Sequence, residues 1–169
     1  FAAGNNHALK QCTTEFIALL NPDAFAAADW LAHLRAAAEQ NPQAASFGSR
    51  QLSHEVPDRL DGTGDCYHAS GLAWRQHHGH RQSAAHLQAG DIFAPCAAAA
   101  LYRRSAVAAI HGFDESYFCY HEDVDLGFRL RLIGHTARYV PQAVVRHVGS
   151  ATTGGQRSEF ATYHGHRNM

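Results

Sequence analysis

"CYHEDVDLGFRLRLIGH", residues 119–135, places three carboxylates, Glu122, Asp123 and Asp125, within four positions at the mouth of an amphipathic run. Leu126, Leu130 and Ile133 share one face, which predicts a helix over about 122–133, and Gly134 is placed to end it. Acids in a first turn complement the helix dipole, worth ~0.3–1 kcal/mol each. That explains Glu122 and Asp125 well. It explains a third acid less well, because adjacent like charges repel unless a cation or a proton-transfer task accounts for them. On the functional reading Asp123 is a general base whose acidic neighbours favour a raised pKa.

Outward from this helix, ordered elements alternate. Towards the N-terminus, "CAAAALYR" (96–103) reads as a buried strand, followed by a short helix from Ser105 that ends at Gly112. "EFIALL" (15–20) is a near-continuous apolar run between Thr13-Thr14 and Asn21-Pro22, read as a parallel strand. "DWLAHLRAAAEQ" (29–40) is a helix with Asp29 as N-cap, and "SFGSRQL" (46–52) a second strand. "FAAGNNHALKQC" reads as a Gly-Asn turn and then a helix from Asn6 to about Cys12. Towards the C-terminus, "ARYVP" and "AVVRHV" (137–148) read as a strand, a proline break and a further extended segment, and "GSATTGG" (149–155) as flexible. Residues 53–90 hold Pro57, five glycines and the patch "RQHHGHRQ", and show no clear period, so they are expected to form a long irregular loop. Strands alternating with helices imply α/β architecture with a mostly parallel sheet in a single domain over 1–169. Ligands of such sheets bind beyond the carboxyl ends of the strands.

Composition narrows the function. With 14 Lys plus Arg against 15 Asp plus Glu, no basic field exists to hold nucleic acid. The 14 histidines, mostly dispersed, would make the chain strongly cationic in mild acid. Cys12, Cys66, Cys96 and Cys119 form no C-x-x-C pair and fit no zinc template, so they read as reduced thiols of an intracellular protein. The His77-His78-Gly79-His80 patch reads as a solvated loop rather than a metal site.

Asp23, in "LLNPD", lies just past a strand end. It could hold a divalent cation that in turn grips a diphosphate, although Asn-Pro-Asp is also good turn chemistry by itself. His147, in "VVRHV", is either a metal ligand or a polar edge residue.

Taken together, "GNNHAL" (4–9), "LLNPD" (19–23), the span 96–135 and "YVPQAVVRHVGS" (139–150) resemble the GT-A, family 2 glycosyltransferases, with the bacterial rhamnosyltransferase-like branch of surface-polysaccharide synthesis the nearest likeness. The resemblance implies a Rossmann-like GT-A sheet flanked by helices. It implies that Asp23 contacts metal and diphosphate, where other members carry Asp-x-Asp. It further implies that His147 is a metal ligand, that Glu122 and Asp123 are the catalytic acidic pair with Asp123 as base, and that Gly4, Asn5 and Asn6 border the nucleotide pocket. Arg129 and Arg131 are expected on a solvated helix face. The implied cofactor is Mn2+ or Mg2+. The implied partners are a UDP- or dTDP-sugar donor and a saccharide or lipid-linked saccharide acceptor, at a cytoplasmic location, peripheral to the inner face of the membrane. Relative to that pattern the chain starts late, so the first nucleotide-binding strands are expected to be absent and the exposed sheet edges to favour a homodimer. A non-catalytic, oligomerising fragment and a nucleotidyltransferase are the alternatives; metal-dependent donor binding separates the first from an enzyme, and product analysis the second.

Overall fold

A computed structural model of the chain describes residues 1–149 and 158–168. The elements run α1 (Ala2–Gln11), β1 (Phe16–Leu20), β2 (Ala24–Ala26), α2 (Trp30–Gln40), β3 (Ala44–Ser53), β4 (Leu60–Gly62), β5 (Asp65–Tyr67), β6 (Ala73–Arg75), β7 (Gly90–Ile92), β8 (Ala99–Arg103), α3 (Arg104–Ala109), α4 (Glu122–Leu132), β9 (Thr136–His147) and α5 (Glu159–Asn168). The main sheet has the order β1-β8-β3-β9-β2, with β4 on β3 and β7 on β9.

Period-two alternation in β8 builds the layers. Ala99 and Leu101 face one core, where Trp30, Leu34 and Ala38 of α2 meet Phe47 and Val145. Ala100 and Tyr102 face the other, against Val107 of α3, Phe113, and Leu126 and Leu130 of α4. The sheet is therefore covered by helices on both sides, as α/β architecture requires.

Several expectations change. Among the described residues parallel pairing is confined to the long central pair β3–β9; β1, β2, β4, β7 and β8 all pair antiparallel. β1 is an edge strand, with Phe16 packed on one core and Leu19 on the other, so its apolar run reflects cover from both faces and not strand direction. Gly4 and Asn5 lie inside α1 instead of forming a turn before it. Pro141 does not break β9. It is fully buried in a bulge, where the register on β3 steps from Ser49↔Val140 to Arg50↔Val144. Residues 53–90 are not one irregular loop: they hold β4, β5, β6, a 3-10 turn at Ala84–Leu87 and β7. Most of the stretch expected to be flexible, from residue 150 onward, lies outside the described residues.

Gly112 and Gly134 have positive φ, 77° and 91°, and follow α3 and α4 as expected. Gly127 acts differently. It lies inside α4, and a Cβ there would collide with the Ala94 side chain. That close approach seats the start of α4 on the segment 93–97. On helix propensity alone Gly127→Ala would stabilise the chain by about 1 kcal/mol. The collision predicts instead a net loss of about 1–3 kcal/mol, visible as a lowered urea midpoint at unchanged slope.

Candidate functional site

Strand register brings three side chains together at one end of the sheet. Ala24 of β2 pairs with His147 of β9, so Asp23 stands beside the imidazole, and the Asp23 carbonyl accepts the Val148 N–H at 3.0 Å. On the other flank of β9, Ser53 of β3 pairs with His147, and β4, hung from β3, carries Asp61. His147 Nε2 lies 3.4 Å from Asp23 Oδ1, and its Nδ1 lies 2.8 Å from Asp61 Oδ2. The histidine is only 6% exposed. Arg75 Nη1 donates to Asp61 Oδ2 at 2.7 Å, and His78 Nδ1 sits 2.8 Å from the Asp61 carbonyl oxygen. Burial opposes ionisation of Asp61. Hydrogen bonds from His147 and His78 and the Arg75 charge outweigh it and hold the carboxyl well below the usual carboxylate range.

Arg75 also reaches the second half of the site. Its Nη2 donates to Cys96 Sγ at 2.8 Å. Ligand-type atoms of Asp65, Cys96 and Asp123 lie within 4.8 Å of one another. Burial, with the Asp123 charge second, raises Asp65 well above its ordinary value, and burial likewise pushes the Cys96 thiol up. With a guanidinium already on Cys96, this trio has its counter-charge and makes a poor second cation site. Asp123 is held by two backbone donors, Ala97 N–H to Oδ2 at 3.0 Å and Val124 N–H to Oδ1 at 2.9 Å. Tyr120 and His121, both at φ 66°, turn the chain sharply to deliver this residue at the start of α4.

The crowd of acids is now resolved residue by residue. Asp125 pairs with Arg129 at 2.7 Å. Glu122 is buried, its Oε2 has no hydrogen-bond partner among the described residues, and burial followed by the Asp123 charge pushes its pKa up to about 7. Only Asp123 is left as a half-buried acid beside Cys96 and Asp65. The arginines do not form a solvated face. Arg129 also donates to the Ile110 and Gly112 carbonyls, and Arg131 to those of Phe93 and Ile92, so both lash α4 to its neighbours.

Asp23 and His147 are thus brought together, and Asp123 lies on the same polar strip, linked through Asp61, Arg75 and Cys96. Gly4, Asn5 and Asn6 lie in α1. The Asn5 side chain donates to the Phe1 carbonyl, and Asn6 is engaged with Phe113 and Glu115, tying α1 to the turn after α3. Asp61, Asp65, Arg75 and His78 were missed by sequence reasoning; the Asp-Gly-Thr-Gly-Asp run at 61–65 was the available signal. His78 departs from the solvated-loop expectation, since it contacts Asp61. Two cavities, of about 310 Å³ beside Ser116 and Arg167 and about 370 Å³ between α2 and β9, contain none of these acids.

A divalent ion fits one part of this strip. Adjacent ligands with bonds of about 2.0–2.2 Å to one ion stand roughly 3 Å apart. Asp23 Oδ1 and His147 Nε2 face each other at 3.4 Å, with the second ring nitrogen engaged by a carboxylate as metal-binding histidines require.

The family model described as "Glycosyltransferase like family 2" matches residues 1–166. The chain belongs to this family. It is 49% identical over 65 residues to an N-acetylglucosaminyl-diphospho-decaprenol L-rhamnosyltransferase of Mycobacterium tuberculosis, a match covering 38% of this chain and 21% of that protein. It is 32% identical over 146 residues to a pre-mycofactocin glycosyltransferase of the same organism, covering 86% of this chain and 29% of the relative. In these matches the chain thus spans less than a third of the length of either curated relative. Among solved structures it shares its fold with GalNAc-T7 bound to UDP, GalNAc and Mn2+, at TM-score 0.68 and 12% identity over 86% of this chain and 30% of that one. It also shares it with a Pyrobaculum calidifontis mannosyltransferase in complex with GDP-Man and Mn2+, at TM-score 0.59 and 14% identity over 90% of this chain and 37% of that one. The fold is therefore GT-A.

Glu122 yields a pH prediction for this family 2 chain. A carboxyl raised from 4.5 to about 7 on folding binds its proton more tightly when folded, so stability falls as pH rises between those values. Glu122→Gln should leave stability near pH 4 unchanged and add about 1–3 kcal/mol at pH 8. Parallel pH slopes for the two proteins in denaturant titrations would remove Glu122 as the source.

Proposed function

We propose that this chain forms part of an inverting glycosyltransferase that moves a sugar from a nucleoside-diphosphate donor to an acceptor hydroxyl. The observation that carries the reading is the facing pair Asp23, just before β2, and His147, at the end of β9, with Asp123 farther along the same strip. Asp23 and His147 would hold Mn2+ or Mg2+, and the ion, when bound, would neutralise charge on the departing diphosphate. Asp123 accepts the proton of the acceptor hydroxyl as that oxygen attacks the anomeric carbon. The two backbone N–H groups on its carboxylate fix its aim. Glu122, pushed up to about 7, is about half protonated at neutral pH and so presents Asp123 with less than a full neighbouring charge. A base on one side of the sugar and the diphosphate on the other give single displacement with inversion and no covalent enzyme intermediate.

The segment shared with the rhamnosyltransferase supports an L-rhamnosyl donor and a lipid-diphosphate-linked saccharide as acceptor. Such an acceptor puts the reaction at the inner face of the membrane. No described helix is long and apolar enough to cross a membrane.

Asp123→Asn should lower turnover by at least about 10²-fold while calorimetry with donor and Mn2+ gives nearly the wild-type affinity. Equal loss of both would remove Asp123 as the base. Asp23→Ala should weaken donor binding chiefly when Mn2+ is present; unchanged affinity with the metal would end its assigned role.

A further inference from the structure

His147 touches two carboxylates, and they are not equivalent. Asp23 is the more exposed, its side chain at 25% and facing Nε2 at 3.4 Å. Asp61 lies behind the ring, 10% exposed at the side chain, and meets Nδ1 at 2.8 Å. One oxygen of Asp61, Oδ2, already serves both His147 and Arg75, with the guanidinium nitrogen 2.7 Å away. A cation placed on that oxygen would sit against a fixed positive charge, so Asp61 is a poor ligand. It is itself rigidly held, since His78 engages its carbonyl and Gly62, where a Cβ would collide with the Arg75 stem, leaves the room that Arg75 needs.

We propose that Asp61 is the positioning residue of the cation site: it accepts the Nδ1–H of His147 and so turns the Nε2 lone pair towards Asp23. Arg75 fixes Asp61 for this task. The proposal rests on the reading of His147 as a cation ligand. The chemistry is that of the outer carboxylate that orients a metal-binding imidazole and raises its basicity, a contact whose removal typically costs 10–100-fold in metal affinity.

Mn2+ alone, titrated against the protein with free ion followed by electron paramagnetic resonance, tests this. Wild type should bind tightest. Asp61→Ala should weaken binding by about 10–100-fold, and Asp61→Asn, which keeps an accepting oxygen but no charge, should fall between them. High Mn2+ should restore turnover in both variants, because the ligands remain. His147→Ala should bind far more weakly than any of these. Wild-type affinity in Asp61→Ala overturns the proposal. Loss as deep as in His147→Ala also overturns it, since Asp61 would then itself be a ligand; both results leave His147 as a ligand. Unchanged affinity in His147→Ala overturns the proposal together with the cation reading. Should Asp61→Ala strand Arg75 and fail to fold, Asp61→Asn decides: weakened binding supports the positioning role and unchanged binding overturns it.

Discussion

The ion pair between Arg75 and Asp61, 2.7 Å long, is what lets so many acids gather at one end of this sheet. A buried carboxylate persists only when paired and hydrogen-bonded. Asp61, Glu122 and Asp123 all lie within electrostatic reach of Asp65, and each of the four is accommodated differently. Asp61 is ionised against Arg75 and two histidines; Asp65 and Glu122 are pushed towards their neutral forms; Asp123 is held by backbone N–H groups. The guanidinium reaches both halves, with one nitrogen on Asp61 and the other on Cys96. Breaking such a pair by removing one partner typically costs 3–5 kcal/mol, because the other charge is left buried alone.

Backbone geometry does the rest. At its C-terminal end β9 is registered against β2 on one side and β3 on the other, with β4 paired to β3, and that register puts Asp23 and Asp61 on either side of His147. On the other half, two consecutive left-handed residues and the absence of a side chain at Gly127 let α4 settle against the 93–97 segment. Local strain and close approach are thus spent where Asp123 must be placed.

Much of this was legible in the sequence, and the failures have physical causes. The helix at 122–133 was readable because Leu126 and Leu130 repeat with helical period, and it is observed at Glu122–Leu132. Asp23, Asp123 and His147 stood out because each is a polar group at the end of an apolar element. Asp61, Asp65 and Arg75 did not, because they sit in a segment whose burial is secured by hydrogen bonds and ion pairs and leaves no apolar period to detect. Strand direction at β1 was not legible either, since apolar continuity reports burial on two faces and says nothing of the partner's polarity. Asn6 was read as a pocket residue from resemblance, and its side chain ties α1 to the turn after α3.

The position of the cation decides most directly between the two halves of the strip. Crystals grown with Mn2+ and UDP, and measured at the manganese absorption edge, would locate it without reference to turnover. An anomalous peak within bonding distance of both the Asp23 carboxylate and His147 Nε2, with Asp61 still on Nδ1, is the expected result. A peak among Asp65, Cys96 and Asp123, or a His147 ring turned so that Nδ1 faces the ion, would contradict it.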